Sequence, residues 1–137
     1  DDSAIDQSAA RYVDSLRIRC ASARQPVAQL SGGNQQKVVL AKWLERDCDI
    51  LIVDEPTRGI DVGARFEIYQ LLEELAAAGK AILVVSSDLR ELLALCDRMV
   101  VLSAGSVAAT FERGDFDQDR ILQAALSGFV ARYRLPS

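Results

Sequence analysis

Residues 30–37 read LSGGNQQK, two adjacent glycines opening a run of strong helix formers. A helix start carries backbone N–H groups with no intrahelical acceptor, and glycine lets an anion come close to them. Ser31 adds a hydroxyl, and the helix dipole favours negative charge there. The combination suits a phosphate, although the same residues alone also read as a serine cap with two loop glycines. A second group is Asp54-Glu55-Pro56, which follows the apolar run Ile50–Val53. One carboxylate at the end of a buried strand can hold Mg²⁺, and its neighbour can orient or deprotonate a water for attack on phosphorus. By itself the tripeptide could equally be a solvated acidic turn. Thr57-Arg58-Gly59-Ile60-Asp61 then offers a sharp turn and an N-cap, Asp61, for a helix starting near Gly63. No GxxxxGK[ST] run occurs in these residues, so the loop that usually wraps nucleotide phosphates is not among them.

Periodicity shows which elements must hold these groups. Ala9, Tyr12, Val13 and Leu16 fall at helical spacing, which predicts an amphipathic helix over about residues 6–17. A loop is expected over 20–29, and a helix over 34–46 with Leu40, Trp43 and Leu44 on one side. Ile50–Val53, Ala81–Val85 and Met99–Leu102 are short, continuous apolar runs, as expected of strands buried on both faces. Between them Ile68, Leu71, Leu72 and Leu75, then Leu89, Leu92, Leu93 and Cys96, repeat the helical spacing. Gly79 is placed to stop the first of these helices. Strand–helix–strand–helix–strand implies a parallel sheet with crossover helices. Ala104-Gly105 reads as a hairpin turn into a strand over 106–112, followed by a helix over about 117–126.

Composition narrows the chemistry. The 137 residues suffice for a domain with a core, and a net charge of −4 offers no basic surplus for nucleic acid. There is no histidine, which excludes a histidine triad or histidine metal site within the chain. Cys20, Cys48 and Cys96 have no paired spacing and read as reduced core residues of a cytosolic protein. No apolar run approaches the ~20 residues that span a bilayer, and the opening DDSAIDQS shows no signal-peptide pattern.

LSGGNQQK, then ILIVDEPTRGID, then VVSSDLRE resembles an ATP-binding cassette (ABC) ATPase over about residues 8–128. Leu30–Gln35 is similar to the family's signature motif, Ile50–Glu55 to its Walker B strand, and Gly59-Ile60-Asp61 to its D-loop. SGGNQQKVVLAKWL and DEPTRGIDVGARFEIY are closest in wording to the second cassette of ribose-, xylose- and galactose-type importers. The resemblance implies an α/β fold, a partial P-loop NTPase with a parallel-sheet core. Residues 1–47 would be part of the helical subdomain and 48–137 part of the ATPase core, with the Walker A half missing.

The resemblance also implies roles. Two cassettes would pack head to tail, with Ser31, Gly32, Gly33, Asn34 and Gln35, and with Asp61, contacting ATP held by the partner cassette. Asp54 would help hold Mg²⁺ and Glu55 would polarise the attacking water. Ser87 stands where the family carries its switch histidine. Serine can hydrogen-bond there but carries no positive charge, which implies weak hydrolysis at this cassette's own site. The expected partners are a second cassette, transmembrane permease subunits and, through them, a sugar-binding protein, on the cytoplasmic face of the membrane. Two alternatives stand beside this reading. One is a non-transport cassette ATPase acting on DNA or ribosomes. The other is an inactive interaction fragment that self-associates through exposed sheet edges and helix faces.

Overall fold

A computed structural model describes residues 2–133. The order is α1 (Asp2–Ser15), α2 (Gly32–Leu44), β1 (Ile50–Asp54), α3 (Val62–Ala77), β2 (Ala81–Val85), α4 (Leu89–Leu95), β3 (Arg98–Ser103), β4 (Ser106–Glu112) and α5 (Gln118–Tyr133). Two compact units divide between Val85 and Ser86.

In the first unit β1 and β2 pair in parallel, Ile50 opposite Ala81 and Asp54 opposite Val85. One face of the pair is buried through Leu51 and Val53. Ile68, Leu71 and Leu72 of α3 are buried in the same unit, at the spacing read from the sequence. The other face is not covered: Ile50 is 66% exposed, Ile52 64% and Leu83 54%. A continuous apolar run therefore marks a strand here without marking both faces as buried. At the end of α3, Gly79 adopts φ +94. Its N–H reaches Ala76 O, and Lys80 N–H reaches Leu75 O, a glycine-terminated helix end.

The buried side of α2 is Gly33, Lys37, Leu40 and Ala41. Trp43, expected beside Leu40, is instead 57% exposed. α1 begins earlier than predicted and buries none of its residues; Leu16, just beyond it, is buried. Ion pairs Arg11–Glu45 and Arg24–Asp6 hold α1 to α2 and to the following loop.

In the second unit β3 and β4 form an antiparallel hairpin. Among the described residues the parallel sheet is thus β1–β2, and the third predicted strand pairs with its own sequence neighbour. The two-residue turn accounts for it: Ala104 and Gly105 both have positive φ, +49 and +83, the twist that closes a hairpin. Met99, Val101, Phe111 and Ile121 form the core, with Leu89, Leu92 and Leu93 of α4 against it. Ser103 ties the hairpin end to α5: its hydroxyl donates to Ala125 O at 2.6 Å and accepts from Gly128 N–H at 3.0 Å. The three cysteines are half-buried rather than core residues.

Candidate functional site

The start of α2 is built from the loop before it. A short 3₁₀ turn, Val27–Gln29, delivers Leu30 and then Ser31 as N-cap. Ser31 has N-cap backbone angles, yet its side chain makes no capping hydrogen bond. Its Oγ instead accepts from Asn34 Nδ2 at 2.8 Å. Asn34 Oδ1 in turn accepts from Arg19 N–H at 2.8 Å. Gln35 Nε2 donates to Leu30 O at 2.9 Å, so this side chain braces the loop it follows. Ser31 and Gly32 are exposed, whereas Gly33 is buried.

The two glycines have different work. A Cβ on Gly32 would rest in ordinary van der Waals contact, 3.8 Å from Gly59 O and 3.9 Å from Ile60 Cγ1. A Cβ on Gly33 would lie 2.6 Å from Ala64 Cβ. Gly33 is therefore what lets the start of α2 touch the start of α3. That contact sets the start of α2 beside Gly59–Asp61, and buried Ile60 packs within 3.6 Å of the same point.

The turn over Thr57–Asp61 is fixed from within. Ile60 N–H bonds Thr57 O, Gly59 takes φ +73, and Arg65 Nε donates to Ile60 O. Asp61 caps α3 as predicted, accepting from Ala64 N–H at 3.0 Å. Its carboxylate thus has one oxygen engaged in capping.

At the end of β1, Asp54 is exposed and Glu55 half-buried. Glu55 N–H continues the ladder to Val85 O at 2.7 Å. Glu55 itself sits at φ +47, in the left-handed region, which costs a non-glycine residue about 1–2 kcal/mol. Such strain gathers at functional positions, because a turn that aims a side chain is kept despite its cost. Asp54 and Glu55 offer hard oxygen donors at a strand end. Such a donor set fits Mg²⁺ in the mode where phosphate oxygens and waters complete its shell. Ser87 lies in the second unit, exposed, just before α4. Beside it Ser86 Oγ accepts from Asp88 N–H at 3.0 Å, and Asp88 caps α4 through Arg90 N–H.

A charged cluster behind α2 was not read from the sequence. Lys37 is only 3% exposed, yet its ammonium donates to Glu67 at 2.9 Å and to Arg17 O at 3.1 Å. Arg19 pairs with the other oxygen of Glu67 at 2.7 Å. The Lys37 hydrogen bond holds the Glu67 carboxyl below its ordinary value, with burial opposing and the charges of Lys37 and Arg19 assisting. The cluster joins α2, α3 and the loop between α1 and α2. One signal was available: Gly33, Lys37, Leu40, Ala41 and Leu44 share one helical stripe, with Lys37 the sole charge on it. Glu67 and Arg19 gave none.

The family model described as ABC transporter matches residues 2–58. The chain is 56% identical over 117 residues to the arabinose import ATP-binding protein AraG of Rhizobium etli, covering 85% of this chain and 23% of that protein. It is 54% identical over 122 residues to a protein of Burkholderia lata named for import of ribose, galactose and methyl galactoside, covering 89% and 24%. The chain thus spans about a quarter of the length of these curated relatives. Among solved structures, the dimeric post-hydrolysis state of the cassette MJ0796 bound to ADP and Pi superposes with a TM-score of 0.68 at 27% identity, over 80% of this chain and 47% of that one. A nucleotide-free cassette superposes at 0.73 and 21% identity, over 96% and 50%.

Proposed function

From the premise that this chain belongs to the ATP-binding cassette transporter family, we propose that it is the signature and Walker B part of a sugar-importer cassette. In this reading, residues 1–47 are helical subdomain and 48–137 ATPase core. The start of α2 closes over the γ-phosphate of ATP held by a second cassette. Ser31 and the backbone N–H groups after it supply the donors, on a turn where Ser31 and Gly32 are exposed. The observation that carries the reading is the start of α2. Ser31 is an N-cap whose hydroxyl does not cap, on an exposed turn locked against the D-loop.

Glu55, aimed by its left-handed backbone, polarises the attacking water, and Asp54 would help hold Mg²⁺, whose charge would offset that of the phosphates. Asp61 holds the D-loop turn at the start of α3. Ser87 takes the position of the switch residue without its charge, so this cassette's own site hydrolyses weakly while its signature serves the stronger site. The work of the whole protein is to convert ATP binding into cassette closure that moves permease subunits. Relatives named for arabinose and for ribose and galactose import support a carbohydrate cargo. The path through the membrane is assigned to those permease subunits; among the described residues no helix is long and apolar enough to cross a membrane.

Calorimetric titration of Mg-ATP tests the proposal, first into this chain alone, then with a cassette carrying an intact P-loop. Binding only in the presence of the second cassette is expected. Tight binding to the 137 residues alone refutes it.

A further inference from the structure

We infer that Asn34 is a positioning residue that fixes the direction of the Ser31 hydroxyl proton. The inference rests on the proposed contact between the start of α2 and a partner's phosphate. It concerns how that contact is prepared before the phosphate arrives.

Donors and acceptors leave one assignment. The backbone N–H of Arg19 can only donate, and it lies 2.8 Å from one end of the Asn34 amide, so that end is Oδ1. The other end is therefore Nδ2, 2.8 Å from Ser31 Oγ. An amide NH₂ can only donate, so Ser31 Oγ is the acceptor in this bond. The single proton on Oγ cannot then point at Asn34. An N-cap serine ordinarily spends its oxygen on the N–H of the second or third helical residue. Here it makes no such bond, and Asn34, itself the third helical residue, reaches back to it. This is a variant of the capping box in which the side chain meets the cap hydroxyl rather than the cap backbone.

Two consequences follow. The hydroxyl proton is turned to the exposed side, ready to donate. The N–H groups of the first turn are also left unclaimed by the Ser31 side chain. Arg19 is itself anchored, since its guanidinium holds Glu67 of α3 and Glu67 holds Lys37 of α2. The chain Lys37–Glu67–Arg19–Asn34–Ser31 therefore starts on α2 and ends at its N-cap. It fixes the hydroxyl without any ligand present, so little reorganisation remains when charge arrives.

The test uses Asn34→Asp, which is isosteric and keeps an acceptor for Arg19 N–H. The carboxylate cannot donate to Ser31; it accepts instead and turns the hydroxyl proton inward. Its added charge also acts on a phosphate directly, and a Ser31→Ala background reads that part separately. Steady-state ATP hydrolysis is measured in the full-length ATPase carrying this segment, for the parent, both single variants and the double variant. With Ser31 in place, Asn34→Asp is expected to lower kcat about tenfold; in the Ser31→Ala background it is expected to lower kcat only about twofold, with unchanged melting temperature. Equal factors in the two backgrounds overturn the inference and leave the phosphate contact standing. If Ser31→Ala leaves kcat and KM unchanged, the phosphate contact itself is wrong and the inference falls with it. A readout free of turnover is the side-chain amide of Asn34 in NMR spectra of this chain. Ser31→Ala should shift one Nδ2 proton and speed its exchange; an unmoved pair of protons overturns the inference too.

Discussion

Replacing Glu67 with glutamine should destabilise the first unit more than removing its buried partner does. Lys37 has a side chain only 4% exposed, and its ammonium is held by Glu67 and by Arg17 O. Glu67→Gln keeps the shape and removes the countercharge. Breaking a fully buried pair costs about 3–5 kcal/mol, whereas an exposed pair is worth about 0–1 kcal/mol. The Glu67 side chain is 37% exposed and also meets Arg19, so water reaches one end of the pair and the expected cost is about 2 kcal/mol. Lys37→Met removes the buried charge itself, keeps an unbranched stem of similar volume, and leaves Glu67 with Arg19. It should cost less than about 1 kcal/mol. Urea unfolding followed by far-ultraviolet circular dichroism measures both. At a slope of about 1–3 kcal/mol/M, the glutamine variant should unfold roughly 1 M earlier. The pH dependence adds a signed check. The folded carboxyl titrates below its ordinary value of 4.5, so its contribution is complete above that pH. It is lost as pH falls through the folded value, and Glu67→Gln should lack this part of the acid limb. Equal losses for the two variants, or a glutamine cost under about 0.5 kcal/mol, would refute the reasoning.

Gly33→Ala should destabilise by about 1–3 kcal/mol and depress ATP hydrolysis in the full-length protein, because its Cβ meets Ala64. Adding Ala64→Gly should restore most of both, as unfolding and turnover assays would show. Ala104→Asn should stabilise the hairpin by about 0.5–1 kcal/mol in thermal melts, since asparagine tolerates the positive φ that alanine endures there. On the proposed role of Ser87, Ser87→His should raise ATP turnover in the full-length protein; unchanged turnover counts against that role. The isolated chain should self-associate through the bare face of β1–β2, and Ile52→Lys should lower its mass in light scattering.

The sequence was most legible where one local rule acts alone. Gly79 stopped α3, Asp61 capped it, and Ala104-Gly105 closed a hairpin, each through backbone preferences of one or two residues. Strand positions were legible as well, because Ile50–Val53 and Ala81–Val85 are too short and too apolar for helices. What covers those strands was not, since an apolar run is the same whether one face or two is buried. Met99–Leu102 shows the limit for topology: the local turn gave it an antiparallel partner. Trp43 looked like core by type and spacing, but the stripe that packs carries Lys37 instead. A buried lysine is hard to read because its counterion, Glu67, stands thirty residues away. The stretches proposed to carry chemistry stand out in the sequence as LSGGNQQK and DEPTRGID. Their internal wiring, Asn34 to Ser31 and Glu55 at positive φ, belongs to three dimensions.

The hydroxyl of Ser103 grips α5 at two places, Ala125 O and Gly128 N–H, from the last residue of β3. A helix that frays from its C-terminal end must release this grip before the turn around Gly128 can open. Hydrogen exchange should therefore show a step within α5, with the Gly128 amide exchanging more slowly than helix fraying alone would set. The helix up to that point should open together with the hairpin as one cooperative unit, while the turns beyond it exchange on their own.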